Sequence, residues 1–277
     1  DRSVGLAIMT ETLAPPAAQE TYDTMAPYYD AFTAHHDYEL WTAVIRRLAG
    51  EHGLVGTRLL DVGCGTGKSF LPFVADGWQV TGCDVSLRML ELAAAKAPHV
   101  RLHRADAREL PRFGSFDLVL LLDDVVNYLS EPGDVVLAMA AAGANLASDG
   151  VIVFDINLLR MYRTFFAEAA IVEDGDRYLA WRGRTPPDAE AGVLAEAALD
   201  VFVRDGDGGW LRLDGGVHRQ RHHTEEQIRD ALALAGLECL GVYGHGLDGI
   251  PSPGADELRD TKALFIARRG APGGERR

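Results

Sequence analysis

The chain has 277 residues, 47% of them hydrophobic and 25% charged, and its formal net charge at pH 7 is -14. This length fits one large globular domain or one domain with an insertion, and the negative charge argues against a nucleic-acid partner, because phosphates would repel it. No apolar run is long enough to cross a membrane, no signal peptide is visible, and the three cysteines are widely spaced. We therefore expect a cytoplasmic protein without a nucleic-acid or membrane partner.

Residues 1–20 include Pro15 and Pro16, show no clear period, and predict a mobile N-terminal arm. Further along, strands alternate with helices up to residue 157, which is typical of a doubly wound α/β sheet. The predicted strands are 58–62, 79–84, 100–104, 116–122 and 150–157. The predicted helices between them are 70–76, 86–97 and 134–147, with Ser86 as an N-cap.

The pattern changes after residue 157. Three antiparallel strands are predicted at 178–184, 193–204 and 210–220, separated by turn residues. A capping box at Thr224 predicts a helix over 225–235, and two last strands follow at 237–243 and 261–268. We expect an antiparallel insertion at 158–223 that acts as a lid, the rest of the core at 224–268, and a flexible tail at 269–277.

The first strand runs into a segment with glycines at alternate positions, from Asp61 to Ser69. Such a turn lets a backbone approach a ligand closely and directs helix N–H groups at it. A P-loop is excluded because Val62 stands where its first glycine is required. A dinucleotide fingerprint is excluded because Lys68 stands at its third glycine. The pattern D-x-G-x-G-x-G remains.

This pattern resembles the first motif of the class I S-adenosylmethionine (SAM)-dependent methyltransferases, and the resemblance covers roughly residues 22–157. It implies SAM as the cofactor and a seven-stranded, Rossmann-like doubly wound sheet whose last strand is antiparallel. In that reading residues 21–157 form the SAM-binding core, together with an N-terminal helix that closes over the cofactor.

The resemblance also implies roles for single residues. Asp84, at the end of the second strand, would accept from both ribose hydroxyls, which a carboxylate can do. Val85 and Met89 would flank the adenine, Asp106 would accept from its amino group, and the Ala107 N–H would reach a ring nitrogen. The remaining cofactor residues implied are Asp61, Gly63, Gly65, Gly67 and Leu122.

The segment from Tyr22 to Asp30 resembles the Y-x-x-x-A-x-x-Y-D segment of small-molecule methyltransferases, including those that methylate amino sugars and other natural-product amines. Its tyrosines, among them the cofactor residue Tyr22, would then line the pocket, where a hydroxyl can bind the methionine carboxylate of SAM. Tyrosine ring faces would stabilise a sulfonium or an ammonium group by cation–π attraction. This implies a small-molecule acceptor, most simply an amine nitrogen, and secondary metabolism as the setting.

The candidate catalytic residues are Tyr128, Tyr29 and His222. A neutral amine needs little base catalysis, whereas a hydroxyl needs a base or a metal. Oxygen-bearing side chains at Asp123, Asp124, Asp155 and Asn157 could ligate a cation, but their spacing departs from that of metal-dependent O-methyltransferases, and we expect no metal.

Alternatives to an N-methyltransferase remain open from the sequence. One is an O-methyltransferase of a secondary metabolite, and another is a SAM-binding module without catalysis. A nicotinamide-dependent oxidoreductase is disfavoured by the glycine spacing. The sequence allows a monomer or a homodimer.

Overall fold

The computed structural model describes residues 17–246 and 251–270, which form two sheets and the helices packed on them. The strands are β1 (Arg58–Val62), β2 (Gln79–Asp84), β3 (Arg101–Arg104), β4 (Phe116–Leu121), β5 (Leu146–Asn157), β6 (Ala169–Asp174), β7 (Arg177–Gly183), β8 (Leu194–Arg204), β9 (Trp210–Arg221), β10 (Leu237–His245), β11 (Pro251–Pro253) and β12 (Lys262–Arg269). The helices are α1 (Ala17–Phe32), α2 (Tyr38–Glu51), α3 (Leu71–Ala75), α4 (Leu87–Lys96), α5 (Asp134–Ala144), α6 (Leu159–Arg163) and α7 (Glu225–Leu234).

The larger sheet has the strand order β11-β10-β12-β5-β4-β1-β2-β3. Its strands from β1 to β5 pair in parallel, while β12 is antiparallel to both β5 and β10. The predicted doubly wound sheet with a reversed last strand is therefore confirmed. The prediction of seven strands is short by one, because β11 adds an edge strand from a segment predicted as loop.

Helices cover both faces of the larger sheet, as parallel strands require. Side chains of α5 and α7 form one hydrophobic cluster with one face, and side chains of α2, α3 and α4 form a second cluster with the other. Every residue of β4 is buried, in agreement with its continuous apolar sequence. The two clusters fix the strands, so their carboxyl ends form a rigid edge.

The second sheet has the order β6-β7-β8-β9 and is antiparallel throughout. It shares a third hydrophobic cluster with α1 and α6. The Thr21 hydroxyl on α1 donates to the carbonyl of Val217 on β9 at 2.9 Å, and Asn127, which follows β4, donates through Nδ2 to the carbonyl of Arg221 at 3.0 Å. The second sheet and α1 therefore flank the carboxyl edge of the first sheet.

Several predicted boundaries are corrected. The strand β5 begins at Leu146, four residues early, because Leu146 pairs with Phe116 on β4. The helix α1 begins at Ala17, so residues 17–20 of the predicted arm are helical. The rest of that arm, residues 1–16, and the tail residues 271–277 lie outside the described residues, and Arg269 belongs to β12. None of the described helices is long and apolar enough to span a membrane.

Candidate active site

The glycine turn joins β1 to α3 in a backbone conformation that L-residues with side chains rarely adopt. The φ angles of Gly63, Gly65 and Gly67 are 72°, 52° and 87°. A Cβ atom at Gly63 would collide with the side chain of Val125, and one at Gly67 would lie 2.6 Å from the ring of Phe70. The turn therefore depends on glycine both for its angles and for close packing.

Asp84 ends β2 directly beside this turn. Its Oδ2 accepts from the Gly65 N–H at 2.9 Å, and its Oδ1 accepts from the Ser86 N–H at 2.8 Å. Burial raises the pKa of Asp84 to about 6, although these backbone donors oppose the rise. The two N–H groups fix the carboxylate, and each oxygen retains a lone pair for a ligand.

A cavity of about 350 Å³ opens at this edge of the larger sheet. It is the size of a small-molecule site. It brings together nine of the fourteen predicted site residues with others that were not predicted. Its described lining consists of Ala18, Tyr22, Tyr29, Gly63, Gly65, Asp84, Val85, Ala105, Asp106, Ala107, Arg108, Asp123, Val125, Tyr128, Leu129, Ser130, Glu131 and Asp134.

Asp106 lines the cavity beyond β3, but Arg108 already engages its carboxylate. The Arg108 Nη2 donates to Oδ2 at 2.7 Å, and the Arg108 backbone N–H donates to Oδ1 at 2.9 Å. Arg108 also lies 3.5 Å from Asp134 on α5. This ion pair is not predicted from the sequence, because nothing in the spacing of Asp106 and Arg108 indicates it. It holds Asp106 in place and leaves its free lone pairs to a ligand.

Three tyrosines form an aromatic wall of the cavity. The ring centroids of Tyr22 and Tyr128 are 5.3 Å apart, and those of Tyr22 and Tyr29 are 6.2 Å apart, both in edge-to-face contact. Burial, as the largest cause, raises the pKa of all three phenols well above the ordinary value. The wall therefore presents neutral hydroxyls and aromatic faces at physiological pH.

Tyr128 is hydrogen-bonded to the second sheet. Its hydroxyl lies 2.7 Å from Nδ1 of His218 on β9. The His218 ring is buried against Trp181 and Tyr22, and its Nε2 has no hydrogen-bond partner among the described residues. Burial lowers the pKa of His218 to about 4, so the imidazole is neutral near pH 7. The pair links β9 to the turn after β4.

The turn after β4 is strained and charged. Asp123 and Asp124 have positive φ angles of 56° and 70°, which residues with side chains rarely adopt. The Lys262 ammonium contacts Asp124 and donates to Asp155 Oδ2 at 2.7 Å, while the Tyr38 hydroxyl donates to Asp123 at 2.7 Å. The cation between Asp124 and Asp155 is thus the ammonium group of Lys262. The register of β12 against β5 pairs Lys262 with Asn157 and so brings it to the end of β5.

Comparison with known proteins agrees with this architecture. A family described as a methyltransferase domain matches residues 59–150. A methyltransferase-family protein of Geobacillus sp. (strain WCH70) is 30% identical over 90% of this chain and 100% of its own length. The chain belongs to the SAM-dependent methyltransferases. A dTDP-3-amino-3,6-dideoxy-alpha-D-glucopyranose N,N-dimethyltransferase of Streptomyces fradiae is 27% identical, over 78% of this chain and 85% of its own.

Solved structures extend the similarity to the whole fold. A SAM-dependent methyltransferase from Clostridium acetobutylicum superposes with a TM-score of 0.75 at 25% identity, covering 90% of this chain and 99% of its own. A SAM-bound amino pentose methyltransferase from Micromonospora echinaspora gives a TM-score of 0.67 at 27% identity, covering 88% and 96%. The cofactor of this methyltransferase is therefore SAM.

Four predicted cofactor residues do not line the cavity of the methyltransferase. Asp61 is buried behind the turn, where it accepts from the Ser69 hydroxyl at 2.6 Å, and burial raises its pKa to about 7. Gly67 packs on Phe70, and both Met89 and Leu122 are buried in the protein interior. These residues support the lining because they fix the turn and the elements beside it.

His222, predicted as catalytic, is also outside the cavity. Its Nδ1 accepts from the Gly192 N–H at 3.0 Å, and its Nε2 lies 3.0 Å from Glu257. The ring is fully buried between the second sheet and the segment after β11. His222 therefore ties two segments together, and the histidine that contacts the tyrosine wall is His218. The sequence alone does not show which of the two histidines reaches the tyrosine wall, because His218 lies near the end of β9 and His222 directly follows its last residue.

Proposed function

We propose that this methyltransferase transfers the methyl group of SAM to the neutral amine nitrogen of a small molecule. One observation carries the proposal: a single cavity is lined both by a fixed carboxylate, Asp84, and by the rings of Tyr22, Tyr29 and Tyr128. The carboxylate suits the ribose of an adenosine, and the rings suit a sulfonium and an amine.

The proposed roles of the lining residues would set the direction of the cofactor. The oxygens of Asp84 would accept from the two ribose hydroxyls, with Val85 and Ala107 beside the adenine and Asp106 at its amino group. The backbone of Gly63 and Gly65 and the hydroxyl of Tyr22 would hold the methionine part. When bound, SAM supplies an electrophilic methyl group on a positively charged sulfur.

The tyrosine wall favours an amine. Aromatic faces attract both the sulfonium of the cofactor and the ammonium formed when nitrogen is methylated. Neutral phenols can orient a nitrogen lone pair for in-line attack, and this alignment is the main requirement of the transfer. The relatives from Streptomyces fradiae and Micromonospora echinaspora are named for amino-sugar and amino-pentose acceptors, which supports a nitrogen target.

An O-methyltransferase is the second candidate, and the contact between Tyr128 and His218 favours it. A hydroxyl acceptor needs a base, and the His218 imidazole could receive a proton through the Tyr128 hydroxyl. However, burial lowers the pKa of His218 to about 4, so the imidazole is a weak base. This is the reason for preferring the amine.

Matched acceptors test the proposal. Calorimetry first establishes whether the pure protein binds SAM, and S-adenosylhomocysteine formation is then measured with amines and with their hydroxyl counterparts. We expect turnover with amines alone. Substituting His218→Gln should leave the rate with amines within about threefold, since no base is needed.

Other outcomes would contradict the proposal. Turnover of hydroxyl acceptors that is lost in His218→Gln, with a pH profile reporting a base, identifies an O-methyltransferase. Tight SAM binding without turnover on either set identifies a non-catalytic SAM-binding module. The variant Tyr128→Phe keeps the ring but removes the hydroxyl, so it separates the aromatic contribution of Tyr128 from its hydrogen bond.

A further inference from the structure

A second cavity, of about 460 Å³, lies on the other side of Asp123 from the cofactor cavity. It is bounded by the α1–α2 connection, the start of α2, the carboxyl ends of the larger sheet and the start of β12. Its described lining consists of His35, His36, Asp37, Tyr38, Leu40, Trp41, Val44, Asp123, Asp155, His245, Gly246, Thr261 and Lys262. Asp123 is the one residue common to the described linings of both cavities.

The walls of this second cavity are aromatic. The ring centroids of Trp41 and His245 are 4.9 Å apart, and His36 lies 6.0 Å from Tyr38. The Lys68 ammonium lies 4.9 Å from the centroid of the Tyr38 ring, although Lys68 does not line the cavity. The Tyr38 ring is therefore already in contact with a cation, the Lys68 ammonium. Among the other rings of the cavity, Trp41 is the strongest cation–π partner for a second cation.

The charge of the second cavity is negative. Lys262 is the one lysine or arginine in its described lining, and Asp124 and Asp155 hold its ammonium. The cluster of Asp123, Asp124 and Asp155 thus sets three carboxyl groups against one ammonium. Burial raises the pKa of Asp155 to about 6, while Lys262 keeps the pKa of Asp124 below the ordinary value against the effect of burial. A dianionic phosphate group would be repelled here.

We propose that the second cavity is the acceptor site, and that it takes an organic cation, an ammonium group on an apolar body, and rejects acceptors that carry phosphate. This inference rests on the proposed function and narrows it to one class of amine. The ammonium would enter beside Asp123, at the boundary with the cofactor cavity, and give one proton to that carboxylate. The neutral amine would then attack the methyl group while the apolar body lies against Trp41. Nucleotide-linked amino sugars, for which some relatives are named, would then be poor acceptors.

Binding to the protein saturated with S-adenosylhomocysteine tests the proposal. The probes are 2-phenylethylamine, its uncharged analogue 2-phenylethanol, and dTDP-3-amino-3,6-dideoxyglucose, with calorimetry as the readout. We expect the amine to bind at least about tenfold more tightly than either of the others, because only the amine combines positive charge with an apolar ring. Tryptophan fluorescence should change as the amine binds.

A substitution series at Trp41 locates the binding. The affinity for 2-phenylethylamine should fall in the order Trp41, Trp41→Phe, Trp41→Leu, by about tenfold overall, because tryptophan is the strongest cation–π partner. The matched control is Trp210→Leu, at an exposed position on β9 outside both described linings. The control should keep the amine affinity within about twofold, and S-adenosylhomocysteine affinity should be unchanged throughout. The Phe variant retains an aromatic ring and serves if the Leu variant does not fold.

The results separate this inference from the proposed function. Equal amine affinity across the Trp41 series, or tighter binding of the nucleotide sugar than of the amine, overturns the inference. Methylation of the nucleotide sugar with no binding of 2-phenylethylamine overturns it while the proposed function stands. Amine binding that depends on Trp41, without methylation of any amine, supports the cation site and contradicts the proposed function.

Discussion

Burial shifts the pKa of three carboxyl groups at or beside the active site more than neighbouring charge does. Asp61, Asp84 and Asp155 are almost fully enclosed, and burial is the largest cause of the raised pKa of each. At Asp84 two backbone donors limit the rise, while at Asp61 a single hydroxyl does so. These residues therefore titrate within the range that an enzyme assay covers.

Cofactor binding should depend on the ionisation of Asp84. Below pH 6 this carboxyl becomes protonated and loses acceptor capacity for the ribose hydroxyls, so the Kd of SAM should rise by about tenfold between pH 7.5 and pH 5. In Asp84→Asn the affinity should be low and independent of pH in this range. Calorimetry at several pH values measures both. A wild-type Kd that stays constant down to pH 5, together with equal binding by Asp84→Asn, would exclude Asp84 from the ribose contact.

At the scale of elements, the glycine turn depends on two separable effects, backbone angle and close packing. Gly67 and Gly77 share nearly equal φ angles, of 87° and 80°, but a Cβ atom meets the Phe70 ring at Gly67 and nothing within 4 Å at Gly77. Gly67→Ala should therefore lower the free energy of unfolding by about 2 kcal/mol more than Gly77→Ala, since overpacking costs about 1–3 kcal/mol.

Urea denaturation of both variants measures the difference. The Gly77→Ala variant is the control for the backbone angle alone. Equal losses would show that the Phe70 ring moves aside freely, and the turn would then need glycine only for its conformation.

Neighbouring residues in the sequence predict the helices and strands, whereas contacts between residues far apart in the sequence determine the active site. The bounds of β1 and β2, the N-cap at Ser86 and the capping box at Thr224 follow from neighbouring residues, and the structure confirms them. The strand β6 was missed, because it reads as a strand only when paired with β7.

Contacts between distant residues could not be predicted for the same reason. Tyr128 meets His218 across 90 residues, and Lys262 meets Asp155 across 107 residues. Neither pair has a local sequence pattern. His222 illustrates the same limit, since it lies four residues after His218 and the sequence alone does not show which of the two rings reaches Tyr128.

At the scale of the whole molecule, the site lies where the larger sheet, the second sheet and α1 meet. The helix α1 belongs to the hydrophobic cluster of the second sheet, yet it also bonds the cofactor edge of the first sheet, where Asp23 accepts from the Ser86 hydroxyl at 2.6 Å. A ligand that contacts α1 and the glycine turn together would join the two sheets. SAM binding should therefore raise the unfolding temperature of the entire chain as one transition.

The contribution of Asp61 to the stability of the ligand-free protein should fall as pH rises toward neutral. A carboxyl whose folded pKa is raised contributes stability that is complete below its ordinary pKa of 3.8 and is lost as pH rises through the folded value, about 7 for Asp61.

Asp61→Asn removes this dependence and keeps an oxygen that can accept from Ser69. Between pH 5 and pH 8 the stability of the variant relative to wild type should increase by about 2–3 kcal/mol. Urea denaturation across this range measures it, with exposed Asp230→Asn as the surface control. The amide and the carboxyl differ by a cost of burial that does not change with pH, so the slope with pH is the decisive quantity. Parallel curves for variant and wild type would show that Asp61 stays ionised in the fold.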